Sequence, residues 1–155
     1  AFQKGFRSLE IKRLGYGADG RDNVLGEKLE TREAYVKYMK ALPGKEKLVS
    51  QIRQRIRTPR EDRIFYIKYA LLAGMTIEEV YSVSFVDPWF LAQIKQIVDM
   101  EKELAEAYGD EAKQNELLKQ AKRMGFSDGQ LAFLWGKKES DLIRQQIRQQ
   151  LLFQS

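Results

Sequence analysis

Beyond Thr31 the apolar residues Tyr35, Tyr38, Met39 and Leu42 recur with helical spacing on one side of the chain and stop at Pro43-Gly44. A second stripe, Leu48, Ile52 and Ile56, predicts another helix. Thr58-Pro59-Arg60-Glu61 then offers an N-cap at Thr58, a proline at the first helical position and a glutamate, Glu61, able to reach back to the cap amide. The helix predicted behind it carries Ile64, Ile67 and Leu71 on one face with Phe65 and Leu72 beside them, an apolar surface wide enough for burial on several sides, and it ends at Gly74.

From there the pattern repeats. Ala70, Gly74, Met75, Thr76, Glu79, Val80 and Val83 match Ala121, Gly125, Phe126, Ser127, Gln130, Leu131 and Leu134 at a constant offset, 51 residues from Gly74 to Gly125. Each copy predicts a long helix closed by a glycine (Gly74, Gly125), then a short helix opened by a capping box, Thr76 with Glu79 and Ser127 with Gln130. A third helix follows in each. Asp87 caps the first one and Pro88 opens it, with Phe90, Leu91, Ile94, Ile97, Val98 and Leu104 expected inside; in the second copy Gly136 precedes Leu142, Ile143, Ile147 and Leu151.

No stretch alternates with period two, so no strand is expected. The reading is all-α, with two similar helix-turn-helix-like subdomains on a shared core: residues 58–155 as a duplicated unit (58–108 and 109–155), preceded by a variable loop and helical segment, 15–57. The polar, glycine-rich stretch Gly15 to Gly26 separates these from residues 1–14. There Phe2, Phe6 and Leu9 form a stripe with no cap before it, the end of a helix begun in a preceding domain.

Composition narrows the chemistry. The chain has 155 residues with no cysteine and no histidine, which excludes disulfides, thiolate catalysis, His-ligated metals and Ser-His-Asp or Cys-His triads. Carboxylate, lysine and tyrosine chemistry remain. The longest apolar run, around Tyr69 to Met75, is far short of the ~20 residues a bilayer requires, and no membrane partner and a cytoplasmic location are expected. The net charge of +5 arises from 27 basic and 22 acidic residues thoroughly mixed along the chain, a mild bias toward polyanions.

Four local features invite functional readings. Gly15 to Gly20 satisfies G-x-G-x-x-G, but a phosphate cradle needs a strand before it and a helix opening on its last glycine, and neither is expected. Glu78-Glu79 and the Glu101/Glu103 pair read as solvated faces, because Glu79 is committed to a cap and residues two apart on a helix diverge. Trp89 and Phe90 read as core in preference to interface, which predicts a cost of ~3–5 kcal/mol for either alanine substitution. Finally, the second unit followed by Arg144, Gln145, Arg148 and Gln149 has the outline of a DNA-reading helix-turn-helix, the alternative function.

Residues 2–10, 62–67, 86–94 and 122–128 together resemble one family. Phe2-Gln3-Lys4-Gly5-Phe6-Arg7-Ser8-Leu9-Glu10, Asp62-Arg63-Ile64-Phe65-Tyr66-Ile67, the stretch from Val86 through Asp87-Pro88-Trp89-Phe90-Leu91 to Ile94, and Lys122 to Asp128 look like the oligomerisation domain of the carbamoyl phosphate synthetase large subunit. Two departures stand out: Gly5 lies where the family usually has alanine, and Gly20 to Gln51 matches none of its motifs. The resemblance implies a non-catalytic connecting domain between two ATP-grasp halves of a ligase that makes carbamoyl phosphate for pyrimidine and arginine biosynthesis. It implies no catalytic, cofactor or metal residue and no bound cofactor in these residues, with ATP, magnesium and potassium serving the parent enzyme. Its implied partners are the flanking ATP-grasp domains, a glutaminase subunit supplying ammonia and further copies of the parent, with nucleic acid as the lesser alternative. Ile64, Phe65, Ile67, Asp87, Trp89, Phe90, Leu91 and Phe126 are the expected core or interface anchors.

Overall fold

A computed structural model describes residues 16–154. The stripe predicted over 1–14, with the family-like residues 2–10, lies outside them. Among the described residues the fold is helical, as the periodicity predicts, apart from a small hairpin: β1 (Asp22–Val24) pairs antiparallel with β2 (Glu27–Leu29), Asp22 facing Leu29 and Val24 facing Glu27. The absence of strands expected from the sequence is therefore corrected. The turn residues Leu25 and Gly26 both take positive φ, the tight two-residue geometry that matches strand twist. Asn23 accepts from the Gly26 amide and the Tyr66 hydroxyl from the Leu25 amide. Each strand is only three residues long, and the inward position at the start of β1 is the charged Asp22, so no apolar alternation betrays it.

Thr31 accepts from the Ala34 amide and opens α1 (Arg32–Ala41), which gives way to a 3-10 turn at Leu42–Gly44. α2 (Glu46–Arg57) buries Ile52 and Ile56. The cap expected at Thr58 and Glu61 does not form. Thr58 ends α2 in an extended conformation, the geometry that a following proline enforces, and α3 (Arg63–Leu72) opens only after Asp62, which makes no side-chain cap.

The duplicated units follow as α3, α4 (Ile77–Ser84) and α5 (Pro88–Glu106), then α6 (Glu111–Arg123), α7 (Asp128–Trp135) and α8 (Glu139–Gln154). Gly74 and Gly125 take φ values of +97 and +95 after the long helices. Both capping boxes are complete, Thr76 with Glu79 and Ser127 with Gln130, and α4 and α7 have the same length of 8 residues. α5 is the spine: α3, α4, α6 and α7 all pack on it, and the Trp135 indole N–H donates to the Leu104 carbonyl at 2.8 Å, tying the second unit to it. Residues 16–57 share this core through Tyr16, Val24, Leu29, Tyr35 and Leu42, all buried with the α3 and α5 stripes. No helix among the described residues is long and apolar enough to cross a membrane.

Candidate functional site

A network of buried polar groups joins the segment before β1, α1, α3 and α5. Lys68 on α3 and Glu101 on α5 are 0% and 3% exposed, with Nζ 2.7 Å from Oε2. The Lys68 ammonium donates to the Tyr16 carbonyl at 2.8 Å and lies over the Tyr35 and Tyr16 rings at 5.4 and 5.7 Å. The Tyr35 hydroxyl on α1 donates to Glu101 Oε1. Beside them the buried Asp22 carboxylate accepts from the Tyr69 hydroxyl and the Ala18 amide, both at 2.7 Å. Gln130 reaches the same place from α7. Its Oε1 accepts the Ser127 amide in the capping box while its Nε2 donates to the Gly17 carbonyl at 3.0 Å, a donating role that the carboxylate of Glu79 in the first copy lacks.

Burial pushes the Glu101 carboxyl above the usual carboxylate range, outweighing the opposing pull of Lys68 and of the Tyr35 hydrogen bond. Burial also raises the Tyr35 and Tyr16 hydroxyls well above the ordinary phenol range, with the Glu101 charge adding to both. The solvated face expected for Glu101 is therefore wrong, although Glu103 is exposed. The signal was present: Glu101 continues the inner row Ile94, Ile97, Val98 and Leu104, and Lys68 is embedded in the apolar run from Ile64 to Leu72.

These groups satisfy one another, so the network holds elements together instead of presenting reactive atoms. A half-open cavity of about 270 Å³ between α1 and α5 touches Tyr35 and Glu101; Val36, Met39, Pro43, Leu72 and Ala105 form its apolar wall, and Lys40, Lys102 and Glu106 complete the lining. The glycine-rich loop is no phosphate cradle either. Gly17, Ala18 and Gly20 take positive φ, a strand follows in place of a helix, and the Ala18 amide is occupied by Asp22. No three acidic side chains among the described residues gather closely enough to share a metal ion.

Of the expected anchors, Phe65, Ile67, Leu91 and Phe126 are buried, whereas Ile64 and Phe90 are half-buried. Asp87 caps α5 by accepting from the Trp89 amide at 2.9 Å. Trp89 itself is 68% exposed, so its core assignment is corrected. Two residues before Leu91 on a helix, its side chain leaves on the side away from the inner stripe. Phe85, 76% exposed, and Tyr81, 41% exposed, are also in solvent, and their rings meet edge-on at 5.9 Å. Glu78 and Glu79 are exposed as expected, Glu79 within its cap and 3.7 Å from Arg53.

α8 also departs from expectation. It docks through Leu142 and the buried Gln145, which donates to Gln114 and Asn115, and this leaves Ile143, Ile147 and Leu151 exposed. Arg144 pairs with Asp141 at 3.2 Å and Arg148 with Glu111 at 3.0 Å. An aliphatic outer row, with one of the two glutamines buried against Gln114 and Asn115, is a poor base-reading face.

Comparison with known proteins places these features. Residues 27–151 match the family model described as the carbamoyl-phosphate synthetase large chain, oligomerisation domain. The chain is similar to the carbamoyl phosphate synthase large chain of Archaeoglobus fulgidus, 39% identical over 147 residues that cover 93% of this chain and 12% of that protein. The counterpart from Rhodopirellula baltica is 34% identical over 142 residues, 92% of this chain and 12% of its own length, and that from Nostoc is 35% identical over 142 residues, 92% and 11%. The chain thus spans about an eighth of the length of these relatives.

Proposed function

Because the chain belongs to the oligomerisation-domain family of the carbamoyl-phosphate synthetase large chain, we propose that it is a non-catalytic connector which positions the catalytic parts of a longer enzyme and carries its self-association. The observation that supports this reading is the buried network. Lys68, Glu101, Tyr35, Asp22, Tyr69 and Gln130 clamp the segment before α1 to both duplicated units, and in doing so engage the groups that would otherwise be free for chemistry. In this reading residues 1–14 close a preceding ATP-grasp domain, residues 15–57 join it to the core, and residues 58–155 form the duplicated unit.

The parent enzyme is a cytoplasmic ligase that makes carbamoyl phosphate from bicarbonate, glutamine-derived ammonia and two ATP, with a glutaminase subunit as partner. ATP, magnesium and potassium act in the flanking halves. The residues described do not fit them, since the one glycine-rich loop is filled by Asp22 and the buried carboxylates are paired. The test is an assay of the 155-residue chain alone for magnesium-dependent ATP hydrolysis with bicarbonate present. No turnover is expected; turnover lost on Glu101→Gln would contradict a purely structural role.

A further inference from the structure

The recess between α1 and α5 is left unfilled by the chain, and the residues around it specify an occupant. Its volume is about 270 Å³, and Tyr35, Val36, Met39, Leu72 and Ala105 supply most of its apolar wall. Tyr35, Met39 and Leu72 are otherwise buried, whereas Val36 on α1 and Ala105 on α5 are half-buried. Protein interiors are close-packed, so an apolar recess of this size is an exception. Water suits it poorly, because a bound water needs about two to four polar partners and these side chains offer mostly carbon. An apolar cavity of about 150 Å³ holds one benzene ring, so this one admits a ligand of about ten heavy atoms.

Charge sets the direction in which such a ligand lies. Lys40 and Lys102 complete the lining, one from each helix, and both are exposed with no ion pair among the described residues. Glu101 also lines the recess, but it is 3% exposed and already holds the Tyr35 hydroxyl and the Lys68 ammonium, Nζ 2.7 Å from Oε2. An anionic head driven inward meets this buried carboxylate, and a cationic head meets Lys68, which is 0% exposed. The arrangement that opposes no charge puts an uncharged tail on the apolar wall and an anionic head at the surface beside the two lysines, whose stems cover apolar area while their ammoniums stay in water. Glu106, the remaining charged residue of the lining, reduces that attraction without cancelling it.

We propose that this recess binds a medium-chain monocarboxylate, its alkyl tail lying between Val36 and Ala105 against Tyr35 and Leu72 and its carboxylate held by Lys40 and Lys102. The ligand bridges α1 to the α5 spine and so reinforces the tie that Tyr35 and Glu101 make between the same two helices. The site does not depend on self-association of the chain.

Titration of the 155-residue chain with octanoate, followed by the methyl resonances of Val36, Met39, Leu72 and Ala105, tests this. Those resonances are expected to shift together and saturate, with a Kd of about 1 mM or tighter. Octan-1-ol, which has the same tail without the charge, binds about tenfold more weakly, and octylammonium more weakly still. Combining Lys40→Gln with Lys102→Gln weakens octanoate about tenfold, whereas Glu106→Gln tightens it. Ala105→Phe fills the recess and abolishes the saturable shifts; Val36→Phe replaces it should circular dichroism show that Ala105→Phe has unfolded the chain. Octan-1-ol binding as tightly as octanoate, or an affinity unchanged in the double lysine variant, overturns the role of the anionic head and with it the proposal. Methyl shifts that are absent, fail to saturate or persist in a folded filled variant overturn the site itself.

Discussion

Lys68 Nζ and Glu101 Oε2 lie 2.7 Å apart in a site closed to solvent, so the only full ionic interaction in the core described here bridges α3 of the first unit and the α5 spine. A buried pair of this kind is weak evidence of net stabilisation, yet removing one partner strands a charge in low dielectric. Lys68→Met is therefore expected to cost about 3–5 kcal/mol. Combining Lys68→Met with Glu101→Leu should recover much of that loss, as read from urea-unfolding midpoints of the two variants.

The same carboxylate makes stability depend on pH with a definite sign. Burial raises Glu101 above its ordinary value of 4.5, so the folded chain holds this proton more tightly than the unfolded chain does. Its contribution is complete below that ordinary value and is lost as pH climbs through the raised one. Glu101→Gln should remove this component of the slope. Asp128 works the other way: partial burial alone would raise it, but hydrogen bonds from Lys122 and Gln146 hold it below the usual range, so its contribution is lost as pH falls through that lowered value. Unfolding midpoints across acid to neutral pH, with Glu101→Gln and Asp128→Asn measured separately, check both signs.

Gly17 and Gly26 both take positive φ, but only one of them is enclosed. A β-carbon on Gly17 would meet Asp22 Oδ2 at 2.7 Å and Lys68 Nζ at 2.9 Å, whereas one on Gly26 meets nothing within 4 Å. Gly26→Ala should cost about 1 kcal/mol, from backbone strain alone. Gly17→Ala should cost about 2 kcal/mol or more, because it also displaces the network. Chemical denaturation of the two variants separates the cases.

The two tryptophans make a matched pair. Trp135 is 2% exposed and donates to the Leu104 carbonyl, so Trp135→Ala is expected to cost about 3–5 kcal/mol. Trp89→Ala should change the stability of the monomer by roughly 0.5 kcal/mol or less. Calorimetry at a concentration low enough to suppress association measures both.

Much of this architecture is legible in the chain. The repeat from Ala70 and Ala121 onward, both capping boxes and the Asp87-Pro88 helix start follow from local rules, because caps and glycine turns are satisfied within a few residues. What the pattern concealed depends on contacts distant in sequence. Glu101 reads as a surface charge because its neutralising partner, Lys68, lies 33 positions away. The Asp22 hairpin is hidden for the same reason, its inward carboxylate being held by Tyr69. Thr58 read as a helix cap, but the proline that suits a first helical turn also extends the residue before it. Trp89 reads as core because aromatics at a helix start more often lock a core, but its true direction is set by the phase of Leu91 on the same helix.

The most direct measure of the connector's role is the light-scattering mass of the intact large chain, taken alone and with this 155-residue chain in excess. If self-association resides here, the added chain occupies the contacts and the mass falls toward that of one large chain with its bound fragments. A mass unchanged at saturating fragment would place the assembly of the enzyme elsewhere and contradict the account.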